Sequence, residues 1–246
     1  MAYDIRSYRD KMSSKELIPF QAVIKETDLF ILVDKKSYRD ELKTIVEEVV
    51  WHHRKELEHY ISQDPEFRTT FSPYLVSPGA PPIVVLMARA GNQAGVGPMA
   101  SVAGAFAEIV GRELLNKVEE VIVENGGDIF LKITKTRKVS VLCPDSPFNN
   151  RLALEVKPKE TPLGVCTSSG KVGPSYSSGK ADAVVVISPS APLADAAATA
   201  LGNLVVEKED VEKAVKKAGE IPGVKGVLII KDDKLGIWGK IKIVPI

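Results

Sequence analysis

The chain has 246 residues, 44% of them hydrophobic and 26% charged, with 33 basic against 32 acidic side chains and a net charge of +1 at pH 7. That balance excludes an intrinsically disordered chain, allows a sizeable core, and supplies no global field to recruit nucleic acid or an acidic membrane surface. Cys143 and Cys166 alone give neither a disulfide framework nor metal-ligand spacing, residues 1–17 are charged throughout, and no apolar run approaches the roughly 18 residues of a membrane span, so a cytoplasmic protein is expected.

In chain order, Phe20 to Val33 alternates and then runs apolar around Glu26–Asp28, which predicts a hairpin. From Ser37 to Gln63 the apolar side chains Leu42, Ile45, Val46, Val49, Val50, Leu57, Tyr60 and Ile61 keep a helical period, predicting one long amphipathic helix stopped by Asp64 and Pro65. It carries His52, His53 and His59; adjacent positions point about 100° apart and positions 52 and 59 are two turns distant, so these read as surface or packing residues rather than a shared metal site. Phe71 to Pro82 is a proline-rich connection, and Ile83 to Ala90 reads as a buried strand.

Gly91 to Met99 leads into a helix of small residues expected to end near Asn116 or Lys117. Two strands follow around a turn at Asn125–Asp128, where the Asn-Gly pair is a hairpin signal and the plain reading is a tight turn. Lys135 to Pro162 should hold strands around a polar loop with Cys143–Asn150 as its exposed tip. Val206 to Gly223 is a charged amphipathic helix, and residues 224–246 supply two strands around Asp232–Lys234. Hairpins interleave with helices without steady βαβ alternation, so the expected fold class is α+β, a single domain over 1–246 in two intimate halves that meet near residue 120.

Gly164 to Asn203 concentrates a Ser/Thr/Gly loop, a strand and a small-residue helix with one carboxylate. A helix N-terminus beyond such a loop suits phosphate or carboxylate, and an ordinary strand, turn and core helix would use the same residues. Ala100, Ala103, Ala105, Ala107 and Gly111 recur 91 positions later as Ala191, Ala194, Ala196, Ala198 and Gly202, which suggests a degenerate duplication or chance similarity of Ala-rich helices. Duplication predicts two helices packed on each other or on a sheet, each preceded by an apolar strand, with their leading connections near one cleft.

VENGGDI, the helix after GVGPMASVAG, and SPSAPLADAAATALGN resemble segments of the ApbE-like superfamily, whose characterised members are magnesium-dependent FAD:protein FMN transferases. With the ETDL strand, the DPEF helix end and GVCTSSGKVG, nearly the whole chain resembles an uncharacterised cytosolic branch, and the resemblance implies mixed and antiparallel sheets with packed small-residue helices. It also implies a metal, magnesium or calcium, on the side chains of Asp195 and Thr199 and on backbone oxygens near Ala103 and Ala198, with Asp195 at the chemistry. Residues 195 and 199 share a helix face, and carboxylate, hydroxyl and carbonyl oxygens are hard ligands; an aspartate early in a helix serves equally as a cap. Asn125, Gly126, Gly127 and Asp128 match a turn near the flavin nucleotide, and Thr167, Ser168, Ser169 and Gly170 match a loop beside it.

Two departures qualify the resemblance: the transferases' helix lysine is matched by Gly104, and their HIIDPRTG-like segment has no counterpart in GPSYSSGKAD. Lys171 or Lys180 is left as a source of positive charge from the loop. The expectation is a metal-assisted enzyme acting on a flavin-related, nucleotide-like or other phosphorylated small molecule, without covalent FMN transfer. Two alternatives stand beside it, a non-catalytic flavin or nucleotide-binding module and a structural homo-oligomer.

Overall fold

A computed structural model describes residues 8, 9, 12, 16–169 and 179–246. Strands β1 (Leu17–Ile24) and β2 (Thr27–Asp34) form the expected hairpin. Helix α1 (Glu41–Gln63) starts after Ser37, because Asp34 accepts the Ser37 N–H and holds that stretch in a turn. It buries Leu42, Val46, Val50, Leu57 and Tyr60 and ends at Asp64, ahead of the single turn α2 (Glu66–Thr69).

Residues 83–90 correct the expected strand: they lie in a helix, α3 (Pro82–Ala94). Pro82 occupies its first turn, where a missing N–H is harmless, and Gly95 ends it in the left-handed conformation at φ 79°. Burial of Ile83, Val84, Met87, Ala88, Gly91 and Ala94 follows the helical period, which the short apolar run conceals when read alone. After a 3₁₀ turn at Pro98–Ser101 comes α4 (Val102–Leu114), the first small-residue helix.

The hairpin β3 (Val121–Asn125) and β4 (Asp128–Lys132) follows as expected. β5 (Arg137–Ser140) and β6 (Leu152–Val156) flank a loop whose tip is less exposed than its composition suggests. Cys143 and Ser146 are buried in it, and Ser146 Oγ donates to the Asp232 carbonyl at 2.8 Å. The stretch read as a Ser/Thr loop begins inside a strand, β7 (Leu163–Ser168), which pairs with β8 (Ala183–Ser188). Then come α5 (Ala191–Gly202), α6 (Asp210–Ala218), β9 (Gly226–Lys231), β10 (Lys234–Gly239) and β11 (Ile243–Pro245).

Eight strands form one antiparallel sheet in the order β1-β2-β3-β4-β7-β8-β9-β10, and β11-β6-β5 form a second, three-stranded sheet. Alternation along the central strands separates two cores. Phe130, Cys166, Val184, Val186, Val227 and Ile229 face the helices, while Ile129, Leu131, Val165, Val185, Ile187, Leu228 and Ile230 pack with Val139, Leu154, Val156 and Ile243 of the small sheet. The architecture is α+β with antiparallel sheets.

The sheet order exposes a repeat that composition only suggested. β1-β2, helices, β3-β4 is followed by β7-β8, helices, β9-β10, with the small sheet's β5 and β6 inserted between. The strand that precedes α5 is β8, and its topological counterpart is β2, not residues 83–90. A division near residue 120 would cut the first unit ahead of its closing hairpin, β3-β4. No single helix among the described residues is long and apolar enough to cross a membrane.

Candidate functional site

The two small-residue helices meet at their N-terminal ends, and the contact joins equivalent positions of the repeat. Gly104 donates its N–H to Asp195 Oδ2 at 2.9 Å across a separation of 91 residues, the repeat offset itself. A Cβ at position 104 would sit 2.5 Å from the Ala191 carbonyl oxygen and 2.9 Å from Asp195 Cβ, so only glycine fits here. The Asp195 carboxylate also receives the Ala103 N–H. In return Glu108 of α4, buried, accepts the Ala191 N–H through Oε2 at 2.7 Å. Each helix thus has its N-terminus capped by a carboxylate from the other, which satisfies orphan donors and the positive end of each dipole. These ends are therefore not open anion sites.

The β3-β4 turn arrives beside this crossing. Gly126 and Gly127 have φ 68° and 103°, the positive values that a two-residue hairpin turn requires. Asn125 donates from Nδ2 to the Ala103 carbonyl at 3.1 Å, tying the turn to α4. The Gly127 N–H is committed to Glu124 Oε1 at 2.8 Å, so it is not free to hold the phosphate of a nucleotide. Glu124 is itself fixed by Arg9, whose guanidinium bridges Glu124 Oε2 and Asp28 Oδ1, both at 2.7 Å, with Arg9 only 7% exposed.

Asp128 opens β4, opposite Asn125 on one side and Cys166 of β7 on the other. It is 5% exposed, and its Oδ1 has no hydrogen-bond partner among the described residues. The Thr167 N–H and the Cys166 thiol approach the same carboxyl. Cys166 also donates to the Ala191 carbonyl at 3.3 Å, linking the strand to the first residue of α5.

Among the described ion pairs, none compensates the charge of Asp128 or Asp195. Burial, and then the neighbouring Asp195 carboxylate, raise the Asp128 pKa well above the usual range, with Glu124 adding to the rise. Burial pushes Asp195 up to about 7 against the stabilising N–H groups of Gly104 and Ala103. Burial first, then Asp128 and Asp195, push the Cys166 thiol up. The described ion pairs give neither aspartate a lysine or arginine partner. Two carboxylates in such surroundings need a shared proton or a cation.

Among the residues expected from the sequence, Asn125, Gly126, Gly127, Asp128, Ala103 and Asp195 come together, with Thr167 alongside. Asp195 is the fifth residue of α5 and caps α4, which corrects its reading as a first-turn residue capping its own helix. Thr199 is one turn further along the same face and partly exposed, while Ala198 is buried in the helix. Thr167 and Ser168 end β7, correcting their placement in a loop, and Ser169 follows directly. Gly170 and Lys171 lie outside the described residues; Lys180 is exposed, its N–H donating to the Val205 carbonyl at 2.7 Å.

Sequence reasoning did not single out Cys166, Glu108 or Arg9. Elsewhere, the structure brings His52 and His53 together on one carboxylate, Glu56, at 3.5 and 3.0 Å, closer than their angular separation suggested. That group is on the α1 surface, apart from the crossing.

Residues 9–236 match the family described as AbpE bacteria. A UPF0280 protein of Methanosarcina acetivorans is 41% identical over 220 residues, covering 89% of this chain and 85% of the relative. A UPF0280 protein of Methanocaldococcus jannaschii is 42% identical over 224 residues, covering 89% of each. Among solved structures, the flavinyl transferase ApbE of Pseudomonas stutzeri in its apo form superposes with a TM-score of 0.52 at 14% identity, over 91% of this chain and 95% of that one. The flavin transferase ApbE of Vibrio cholerae gives 0.52 at 14% identity, over 91% and 96%. At such identity these structures share the fold.

Proposed function

The chain belongs to the AbpE bacteria family, and from that premise we propose that it is a divalent-cation-assisted enzyme acting on a flavin-related or other nucleotide-like, phosphorylated small molecule. The observation that carries this reading is the meeting of Asp128, Asp195 and the glycine turn at the crossing of α4 and α5. Helix ends already capped by carboxylates repel a bare phosphate, whereas a cation held there would draw one in. The donors fit a hard cation. Asp195 retains lone pairs beyond those used by two N–H groups and the Thr199 hydroxyl lies on the same helix face, while the Ala103 carbonyl would have to exchange its bond from Asn125 to join them. Magnesium, or calcium, would neutralise a pyrophosphate and stabilise charge on a departing phosphate.

Around it the chain's own groups position and enclose. Gly127 lies open on its outer side, where a Cβ would meet only the Thr167 carbonyl at 3.7 Å, so a ligand can approach the turn closely. FAD, FMN or an adenine nucleotide fits that combination of open turn and cation seat. Covalent FMN transfer is not part of the proposal, since the position matching the transferases' lysine is Gly104, where no side chain can be built. The same observation favours a second reading, a nucleotide-binding module without turnover. A cytoplasmic setting belongs to the proposal and is supported by two buried, unpaired cysteines.

The test is a titration with FAD, FMN and ADP, with and without magnesium, on the wild type, Asp195→Ala and Thr199→Ala, with turnover followed by phosphorus NMR. Metal-dependent binding that both variants lose, accompanied by turnover, is the expected outcome. Binding without turnover selects the module, and no binding under any condition refutes both readings.

A further inference from the structure

We infer that Asp128 is the second carboxylate of the cation seat, so that the protein binds a hard divalent cation by itself, before any phosphate-bearing ligand arrives. The inference rests on the cation-assisted reading above and goes beyond it in naming this residue and this order of binding.

Position comes first. Asp128 is bracketed by the two contacts that fasten the hairpin to the helix crossing. Its cross-strand neighbour Asn125 bonds to Ala103, next to the Gly104 N–H that Asp195 accepts. Its other neighbour, Cys166, bonds to Ala191, one helical turn before Asp195. The turn that sets the backbone of Asp128 is held by Glu124 and Arg9. Asp128 is thus fixed between the two helix ends.

The second observation is the empty valence. Oδ1 of a carboxyl that is 95% buried, from 5% relative exposure, has no donor among the described residues. Buried acceptors are nearly always paired, and an orphan next to another carboxylate is a costly arrangement unless something positive completes it. Glu124, the third acid nearby, is already paired with Arg9, which it shares with Asp28. Once a cation displaces the proton they would otherwise share, Asp128 and Asp195 offer two carboxylate charges and an oxygen-only donor set, which matches a doubly charged hard cation in both charge and ligand type. With one carboxylate the ligand's phosphates would have to complete the charge, and cation and ligand would bind only together; with two, the seat is complete in the protein.

The experiment is a manganese titration of the chelator-treated protein with no nucleotide present, following free Mn²⁺ by electron paramagnetic resonance, on wild type, Asp128→Asn and Asp195→Asn. One saturable site is expected in the wild type, weakened roughly tenfold or more in each variant, as loss of an ordering partner alone already brings. Melting curves in EDTA establish that the variants are folded, and Asp128→Ser carries the comparison should the amide fail that check. Wild-type-like binding by the Asp128 variant alongside loss in Asp195→Asn overturns the inference and leaves the cation-assisted reading intact. Binding of Mn²⁺ by the wild type only once ADP is added likewise overturns it and retains that reading. No binding by the wild type with or without FMN or ADP removes both.

Discussion

One missing methyl group at position 104 sets how closely the two capped helices approach. Gly104→Ala would bring a Cβ to 2.5 Å from the Ala191 carbonyl, and α4 and α5 can relieve this only by separating, which stretches the Gly104 N–H bond to Asp195. Overpacking of a tight contact costs about 1–3 kcal/mol. For a chain of this size the expected result is a melting temperature lowered by roughly 2–12 °C, with Ala105→Gly as the control for composition, and differential scanning calorimetry measures it. In the sequence this position stands outside the Ala/Gly positions that recur at the 91-residue offset and is marked only as the match of the transferases' lysine; that positions 104 and 195 touch follows from the symmetry of the fold. Asn125–Asp128 is different, since two successive glycines after asparagine dictate the turn locally. Cys166, Glu108 and Arg9 are illegible for the opposite reason: their partners lie 25, 83 and 115 residues away.

At the scale of elements, the hairpin β3-β4 owes its aim to a segment far upstream. Arg9 is buried between Asp28 of β2 and Glu124 of β3, and Tyr8 adds its hydroxyl to Glu124 Oε1 at 2.7 Å. Arg9→Ala leaves two buried carboxylates without their cation, a change that costs about 3–5 kcal/mol when a buried pair is broken from one side. Urea unfolding should show a lower midpoint with an unchanged slope, because the folded surface is retained while its stability falls. Local signals serve well where one element determines itself, as in α1, whose apolar period persists through six turns. They fail at α3, where an eight-residue run with seven apolar side chains fits a buried strand as readily as a helix and the flanking Pro82 and Gly95 decide for the helix. β7 fails in the other direction: its hydroxyl-rich end suggests a loop, yet the ladder to β4 and β8 supplies the backbone partners that keep it extended.

At the scale of the molecule, the proposed seat lies on the join between the two topological repeats. Asp128 and Gly104 belong to the first hairpin–helix–hairpin unit, and Asp195, Ala191 and, beside Asp128, Cys166 belong to the second. A cation held by Asp128 and Asp195 would bind only when both units are folded and docked, so its binding free energy adds to the stability of the whole chain and not to one hairpin. At a free concentration one hundred times its dissociation constant, that linkage amounts to about 2.7 kcal/mol. Hydrogen exchange followed by mass spectrometry should therefore show magnesium slowing exchange together in β4, in β7 and in the first turns of α4 and α5. Protection confined to α5 would mean that the ion sits on Asp195 and Thr199 alone. Protection that also spreads to β8 and β9, which do not touch the seat, is the signature of global unfolding being suppressed. The small sheet of β5, β6 and β11 packs on the opposite face of the large one, away from the helix crossing. Its exchange should respond to the ion only through that global term, so the ratio of protection between β4 and β6 separates local tightening at the seat from stabilisation of the fold as a unit.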